Sequence, residues 1–433
     1  METDLVWLRG ELRLADNPLL ASPGGISERL VVYVIDAALL EPQAPLDIPR
    51  MGARRLRFLW QSLRELRGEL LKCGSDLLVT VGEPVTLVAN LAERIGASAV
   101  RVGEHPGSEE QQQVQRLSQL LHPGCRLDTF STATLWAHAT LPIAVEEVPG
   151  SWSAFKRKLG KAKPSAKALP AAATQPAWPD RAPRGLPSLQ RLSPAAAALD
   201  DHPDPLGLGY AGGAASGLDR LDEYFWKQQA IGVYQDTRNG LVGPDFSSRL
   251  SAWLATGCIS ATQVLGALTR WEQEHGANAS TKHFYRELLW REYFHWAAWQ
   301  EGSALFGKRA PSPGQAFTRW QQGETGQPAV DAAMKELRDC GWISNRARQW
   351  AASYLVHDLC GDWRHGAAWF EHCLMDYDVA SNWGNWKYIA GVGRDTRPKV
   401  FDMDDQVRRY DPELRYVQHW LEKDEPERRQ GVS

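Results

Sequence analysis

The chain has 433 residues, of which 43% are hydrophobic and 23% charged, and its formal net charge is −3. That balance belongs to a folded globular protein with chain enough for two or three cores. It excludes a strongly basic nucleic-acid binder, so any contact with a polyanion must come from a local patch.

The N-terminus has no signal-peptide core, and no apolar run reaches the roughly 18 residues that a membrane span needs. The six cysteines form no CxxC pair, which predicts reduced thiols and no zinc or disulfide framework. Together these features predict a cytosolic protein without membrane contact.

Over the first 130 residues short β-rich runs alternate with helical patterns. The runs are LVWL (5–8), LVVYVI (30–35), LLVTV (77–81), AVRV (99–102) and RLDTF (126–130), and the helical patterns include Arg54–Leu71 and Pro84–Ile95. Alternation of this kind predicts an α/β domain over residues 1–131, with a parallel, Rossmann-like sheet covered by helices.

Residues 132–216 read as a connector that runs over one domain to reach the other. Nine of the 26 prolines fall between Pro164 and Pro205, amid alanines, which is linker composition. Within it Gly207–Gly212 matches GxGxxG. No strand precedes this motif, so the dinucleotide reading is rejected in favour of a loop before the next helix.

From residue 217 strand patterns nearly vanish, and an all-helical domain is predicted over 217–433. Its helices are expected at Gly217–Gln229, Ser247–Leu254, Ala261–Glu274, Thr281–Gln300, Gln327–Cys340, Ser344–Leu359 and Gly366–Leu374. The end, EKDEPERRQGVS, has the composition of a disordered tail.

Four segments of the second half carry polar groups that a core would not choose. Thr237–Ser251 leads through two glycines and a proline into Ser247, Ser248, Arg249 and Ser251, which suit an anion site at a helix start or an ordinary N-cap cluster. In TKHFYRELLWREYFHWAAWQ (281–300), Glu287, Trp290, Arg291 and Phe294 fall at spacings that share a helix face. An i,i+4 ion pair between Glu287 and Arg291 is the simpler reading of those charges, though the flanking aromatics argue against full exposure. Gly341–Trp350 places Asn345, Arg348 and Gln349 within one turn, and Arg348 is a candidate partner for Asp376. Met375–Pro398 packs Asp376, Asp378 and Asn382 beside Trp383, Trp386 and Tyr388, and reads as the wall of a pocket for an aromatic ligand. Of 19 tryptophans, 14 lie after Leu218. Most suit a core, and the rest could pass electrons to a redox cofactor.

Taken together, "TRNGLVGPDFSSRLSAWLATGCIS", "ELLWREYF", "WQQGETGQPAVDAAMKELRDCGWISNRARQ", "DYDVASNWGNW" and "RYDPELRYVQHWL" resemble the photolyase/cryptochrome family, as does the opening "LVWLRGELRLADNPLL". Ser344-Asn345 stand where (6-4) photolyases carry a His pair. Gln349 replaces the Met, and Tyr388 the Trp, of the common dimer photolyases, and these changes resemble the DASH cryptochromes.

The resemblance implies FAD bound in the helical domain of a monomer. It also implies light-driven repair of cyclobutane pyrimidine dimers, preferably in single-stranded DNA; the alternative is a blue-light receptor that signals through a partner. Carried over, Tyr234, Ser247, Ser248, Arg249, Leu250 and Ser251 would hold the phosphates and ribose, and Arg291, Asn345, Arg348, Asp376 and Asp378 would line the flavin. Asn382 would stand at its N5, where an amide can donate or accept. Glu287, Trp290, Asn345, Gln349 and Tyr388 match substrate-facing positions, Glu287 to stabilise the dimer and Trp290 to offer a stacking face.

Trp386 and Trp363 match the inner two members of the family's electron-transfer chain. The region of the outer member, "GKRAPSPGQAF", has no Trp, and Trp320 is a candidate substitute. A 5,10-methenyltetrahydrofolate antenna would lie between the domains with Glu109 or Glu110 as its acidic ligand, although Gly10 and Ala15 depart from the family's opening motif.

Overall fold

A computed structural model gives the fold and describes residues 2–21, 25–199, 210–308 and 310–422. The strands are β1 (Glu2–Leu8), β2 (Ile26–Asp36), β3 (Pro42–Gln43), β4 (Ile48–Pro49), β5 (Leu78–Gly82), β6 (Ala99–Gly103) and β7 (Arg126–Phe130). β3 and β4 pair only with each other, while the rest form one sheet in the order β5-β2-β1-β6-β7. Every pairing in that sheet is parallel. Parallel strands need crossovers that cover both faces, so central strands are continuous apolar runs. Leu5, Val6, Trp7 and Leu8 of the central strand are accordingly buried. The covering helices Ala53–Lys72 and Pro84–Ile95 lie where the sequence predicts them, and Ser108–Leu120 completes the layer.

The connector follows the sheet before it leaves it. Ala177 bonds with Arg29 (2.8 Å) and Ser27 (3.1 Å), and Val79 donates to the carbonyl of Gly185 at 2.8 Å. It also forms a helix, Trp152–Leu159, capped by Ser151. Gly207, Gly209 and the tail from residue 423 lie outside the described residues.

The rest of the described chain is helical. The helices Ala261–His275, Ala279–Glu301, Pro328–Cys340 and Trp363–Cys373 fall on predicted segments. Ser247–Leu254 does not hold as one helix. The helix runs from Ser251 to Ala255, because Arg249 takes a left-handed φ of 55° and breaks the turn before it. Val379–Ala390 is a helix that periodicity did not predict.

The two halves meet backbone to backbone. A Cβ on Gly257 would stand 1.8 Å from the Gly10 carbonyl oxygen, and Arg13 donates to the Gly257 carbonyl at 2.8 Å. One hydrophobic cluster runs through the seam, from Val6 and Leu8 to Trp253 and Trp296. Among the described residues no helix is long and apolar enough to cross a membrane.

Candidate functional site

Buried Arg220 gathers the loop that precedes Ser251. Its guanidinium donates to the carbonyls of Ser248 and Pro244 (3.0 Å each) and Ser247 (3.3 Å), and meets Asp245 at 2.9 Å. A fork of five donors can satisfy several inward carbonyls at once. Arg249 lies over the rings of Phe246 (4.6 Å) and Trp342 (4.5 Å), and the Trp342 indole donates to Ser251 Oγ at 3.1 Å. Sequence reasoning named Ser247 to Ser251 and missed Arg220, which sits in a predicted helix but shows its role only through contacts.

This loop walls one side of a cavity of about 340 Å³, a size suited to a small-molecule ligand. Tyr234, Glu287, Arg291, Asn345, Arg348, Gln349, Asp376, Asp378, Asn382, Trp386 and Tyr388 also line it. Of the residues chosen from the sequence, Trp290, Trp363, Trp320, Glu109 and Glu110 are not among its lining.

Arg348 pairs with Asp376 at 2.7 Å and donates to the Ile343 carbonyl at 3.0 Å. Asp376 is buried, and its Oδ1 has no hydrogen-bond partner. A buried acceptor of this kind fits a ring N–H of a bound heterocycle such as flavin. Asp378 caps the Val379–Ala390 helix by accepting from the Ser381 N–H (2.7 Å) and stands 3.0 Å from His295. Burial pushes the Asp378 carboxyl up, but His295 and Arg291 outweigh it and hold the group well below the usual range. Asn382 is oriented by donating from Nδ2 to the Ala367 carbonyl at 3.0 Å.

Glu287 pairs with Arg238 (3.3 Å) and His283 (3.2 Å). Arg291 turns elsewhere and donates to the Ala133 carbonyl at 2.6 Å, so the i,i+4 reading of Glu287 and Arg291 is corrected. Burial, then Arg238, lowers the His283 imidazole below its ordinary value.

The expectation that Trp290 and Phe294 share the face of Glu287 and Arg291 is also corrected. Successive helix residues diverge by about 100°, so while Glu287 and Arg291 face the main cavity, Trp290 and Phe294 face a side cavity of about 200 Å³. There Trp152 stacks on Trp290 at 4.4 Å and 17°. Tyr388 borders both cavities.

The Trp386 ring lies 6.1 Å from Trp320 and 5.1 Å from Phe370. Trp320 is fully buried, its indole bonded to the Ala351 carbonyl at 2.9 Å, so it adjoins Trp386 without reaching solvent. Trp363 is half-buried, off the cavity, with its ring 5.9 Å from Trp383.

A third cavity, of about 190 Å³, opens between the sheet and the helices. Both acidic candidates border it, and their surroundings separate them. Glu109 reaches out to Arg50 at 2.7 Å and is half exposed. Glu110 stands 3.4 Å from His105; burial pushes it up, but His105, its own backbone N–H and Arg9 together draw it down to about 2. Leu254, Arg291, Tyr377 and Asp378 line this cavity and the main one.

Residues 4–176 match the family model of DNA photolyase, and residues 283–427 match that of the FAD binding domain of DNA photolyase. The cryptochrome DASH of Gloeobacter violaceus is 39% identical over 431 residues, covering 97% of this chain and 85% of that protein. The chloroplastic/mitochondrial cryptochrome DASH of Arabidopsis thaliana is 36% identical over 439 residues, covering 97% and 75%. The crystal structure of a Synechocystis cryptochrome superposes with a TM-score of 0.89 at 34% identity, covering 97% of this chain and 89% of that one. A class III photolyase from Agrobacterium tumefaciens superposes with a TM-score of 0.81 at 27% identity, covering 98% and 87%.

Proposed function

This chain belongs to the photolyase and cryptochrome family, within the DASH cryptochromes, and on that premise we propose that it splits cyclobutane pyrimidine dimers in DNA under light, with single strands preferred. One observation carries the reading: Glu287, Asn345, Gln349 and Tyr388 open onto the same cavity as Arg348, Asp376, Asp378 and Asn382. Residues suited to a lesion and residues suited to a flavin thus share one space.

FAD held in this cavity by the residues named below would supply light-driven, reversible one-electron chemistry for opening the dimer. The chain's own groups do the rest. Ser247, Ser248, Leu250 and Ser251, at the start of a helix, hold phosphate through hydroxyls and N–H groups, with Tyr234 and Arg249 beside them. Arg348 is fixed by Asp376, Arg291 and Asp378 set the charge of the wall, and the oriented amide of Asn382 faces the ring. Glu287, clamped by Arg238 and His283, faces the lesion and steadies the dimer through its carboxyl group. Trp386 passes electrons to the site, with Trp363 further out.

Gln349 and Tyr388 make the pocket polar, which recovers less of the few kcal/mol needed to flip a dimer from duplex. Single strands, which need little unstacking, are then the better substrate. The cavity between sheet and helices is the place for a 5,10-methenyltetrahydrofolate antenna, with Glu110 as its acidic ligand. The protein works as a cytosolic monomer, its antenna half over residues 1–131 and its catalytic half over 217–433.

The test is a repair assay on the purified, reduced protein with a thymine-dimer oligonucleotide, single- or double-stranded, in blue light and in the dark. Light-dependent restoration of thymines, faster in the single strand, is expected. No repair by protein that binds FAD and photoreduces it would overturn the reading in favour of a blue-light receptor, and equal rates on both substrates would remove the strand preference.

A further inference from the structure

The partners of Glu287 are set by a histidine that does not line the main cavity. Glu287 and Arg238 both border that cavity, and His283 does not. His283 lies one turn before Glu287 on the Ala279–Glu301 helix, with its side chain mostly buried.

Three atoms meet there. Glu287 Oε1 is 3.3 Å from Arg238 Nη1 and 3.2 Å from His283 Nε2, and the same Nη1 hydrogen-bonds to Nε2. A guanidinium keeps its protons and can only donate. Nη1 carries two hydrogens, one for the carboxylate and one for the imidazole. His283 Nε2 must then offer its lone pair, which puts the ring proton on Nδ1. In this state two acceptors hold Arg238, and Glu287 faces the cavity with a fixed partner.

The surrounding charges favour the neutral ring. Arg238, at the end of the Tyr234–Thr237 helix, and Arg286, on the same helix as His283, both oppose a further positive charge, and only Glu287 favours one. Tyr234, with its ring 6.0 Å from the imidazole at 78°, stays un-ionised because burial raises it. Beyond Arg238, Arg346 is taken up by Asn239 and Gln349 at 2.8 Å each. A proton added at Nε2 turns that atom from acceptor to donor. The ring then bonds Glu287 and repels Arg238.

We propose that His283 is a positioning residue for the lesion pocket: its neutral imidazole keeps Arg238 paired with Glu287, and a protonated imidazole takes Glu287 for itself and frees Arg238. The inference rests on the repair function proposed above and deepens it. Recognition of the dimer then depends on a proton held outside the cavity.

Two probes test this on the FAD-loaded protein in the dark: a short thymidine single strand with a central cyclobutane dimer, and the same strand undamaged. Both carry the same phosphates, so general attraction to an added charge cancels in the ratio of their dissociation constants. An ordinary imidazole titrates at about pH 6.5, and burial and Arg238 lower this one. The preference for the dimer should therefore hold from pH 8 down to about 6.5 and fall about tenfold by pH 5, the scale of one charge-assisted hydrogen bond. His283→Gln places an amide oxygen, which accepts but does not titrate, where Nε2 stands, and should keep the preference at every pH. His283→Leu should lack it at every pH. The nitrogen-15 spectrum of histidine-labelled wild-type protein at pH 7.5 should show His283 protonated at Nδ1 alone.

A wild-type preference that does not change with pH overturns the proposal, and so does an equal fall in wild type and His283→Gln, because Glu287 itself would then be titrating. A ring protonated at Nε2 at pH 7.5, or an undiminished preference in His283→Leu, overturns it as well. Photorepair by wild-type protein reports on the repair reading and the histidine spectrum on this inference, so the two fail separately.

Discussion

Glu292 follows Arg291 and is fully buried, its carboxylate 3.9 Å from the Arg291 guanidinium, and it accepts from the Leu135 N–H at 2.9 Å and the Trp296 indole at 3.4 Å. Burial pushes its carboxyl up to about 7, against the pull of Arg291. The folded form therefore keeps a proton that the unfolded chain releases near pH 4.5. Stability from this group is present below that pH and is lost as pH rises through about 7. Glu292→Gln removes the cost of ionising it, so the variant should gain on wild type as pH rises from 5 to 8, by up to about 3 kcal/mol in urea denaturation; a pH-independent difference would refute the assignment. Arg348→Leu acts the other way, since it leaves Asp376 buried and unpaired. It should cost about 3 kcal/mol and lower FAD retention, read from the unfolding midpoint and the flavin absorbance of purified protein. Residues like these were partly legible from sequence. Asp376 and Arg348 could be paired on residue type and on the family resemblance, whereas the partner of Trp290 could not, because Trp152 lies far away along the chain.

At the level of elements, legibility followed the number of neighbours a segment satisfies. The central strands announced themselves because both faces are apolar, and the Ala53–Lys72 helix because one face is. The Val379–Ala390 helix did not, because it packs tryptophans into the core on one side and presents Asn382 to the cavity on another, which leaves no single apolar stripe. Its packing against the Trp363–Cys373 helix is close enough that Gly366 admits no side chain: a Cβ there would stand 2.2 Å from Trp386 Cη2. Gly366→Ala should therefore move the Trp386 ring or destabilise the pair by about 1–3 kcal/mol. Slowed flavin photoreduction with a shifted tryptophan fluorescence would report the first outcome and a lowered melting temperature the second; wild-type behaviour in all three would show that the helices can separate freely. Trp320 adjoins the same ring, and flavin photoreduction in Trp320→Phe at the wild-type rate would remove it from the electron route.

For the whole molecule, the parallel sheet, the helical half and their order were legible. The cavities were not, because each is built from segments distant in sequence. Leu254, Arg291, Tyr377 and Asp378 separate two of them and belong to both. Glu110 lies on the sheet side of that wall, so Glu110→Gln should weaken folate binding about tenfold (about 1.4 kcal/mol) and leave FAD content intact. Absorption spectra of the reconstituted variant give both numbers, and loss of the flavin as well would mean that the two sites cannot be separated. The seam beneath them bears on how such chains diversify. Gly257 sits at a φ of 67° against the Gly10 carbonyl, with no space for a side chain between them. A chimaera that takes its sheet from one relative and its helices from another must therefore keep glycine at position 257 whatever residue stands at position 10, because it is the backbone at 10, not its side chain, that fills the space.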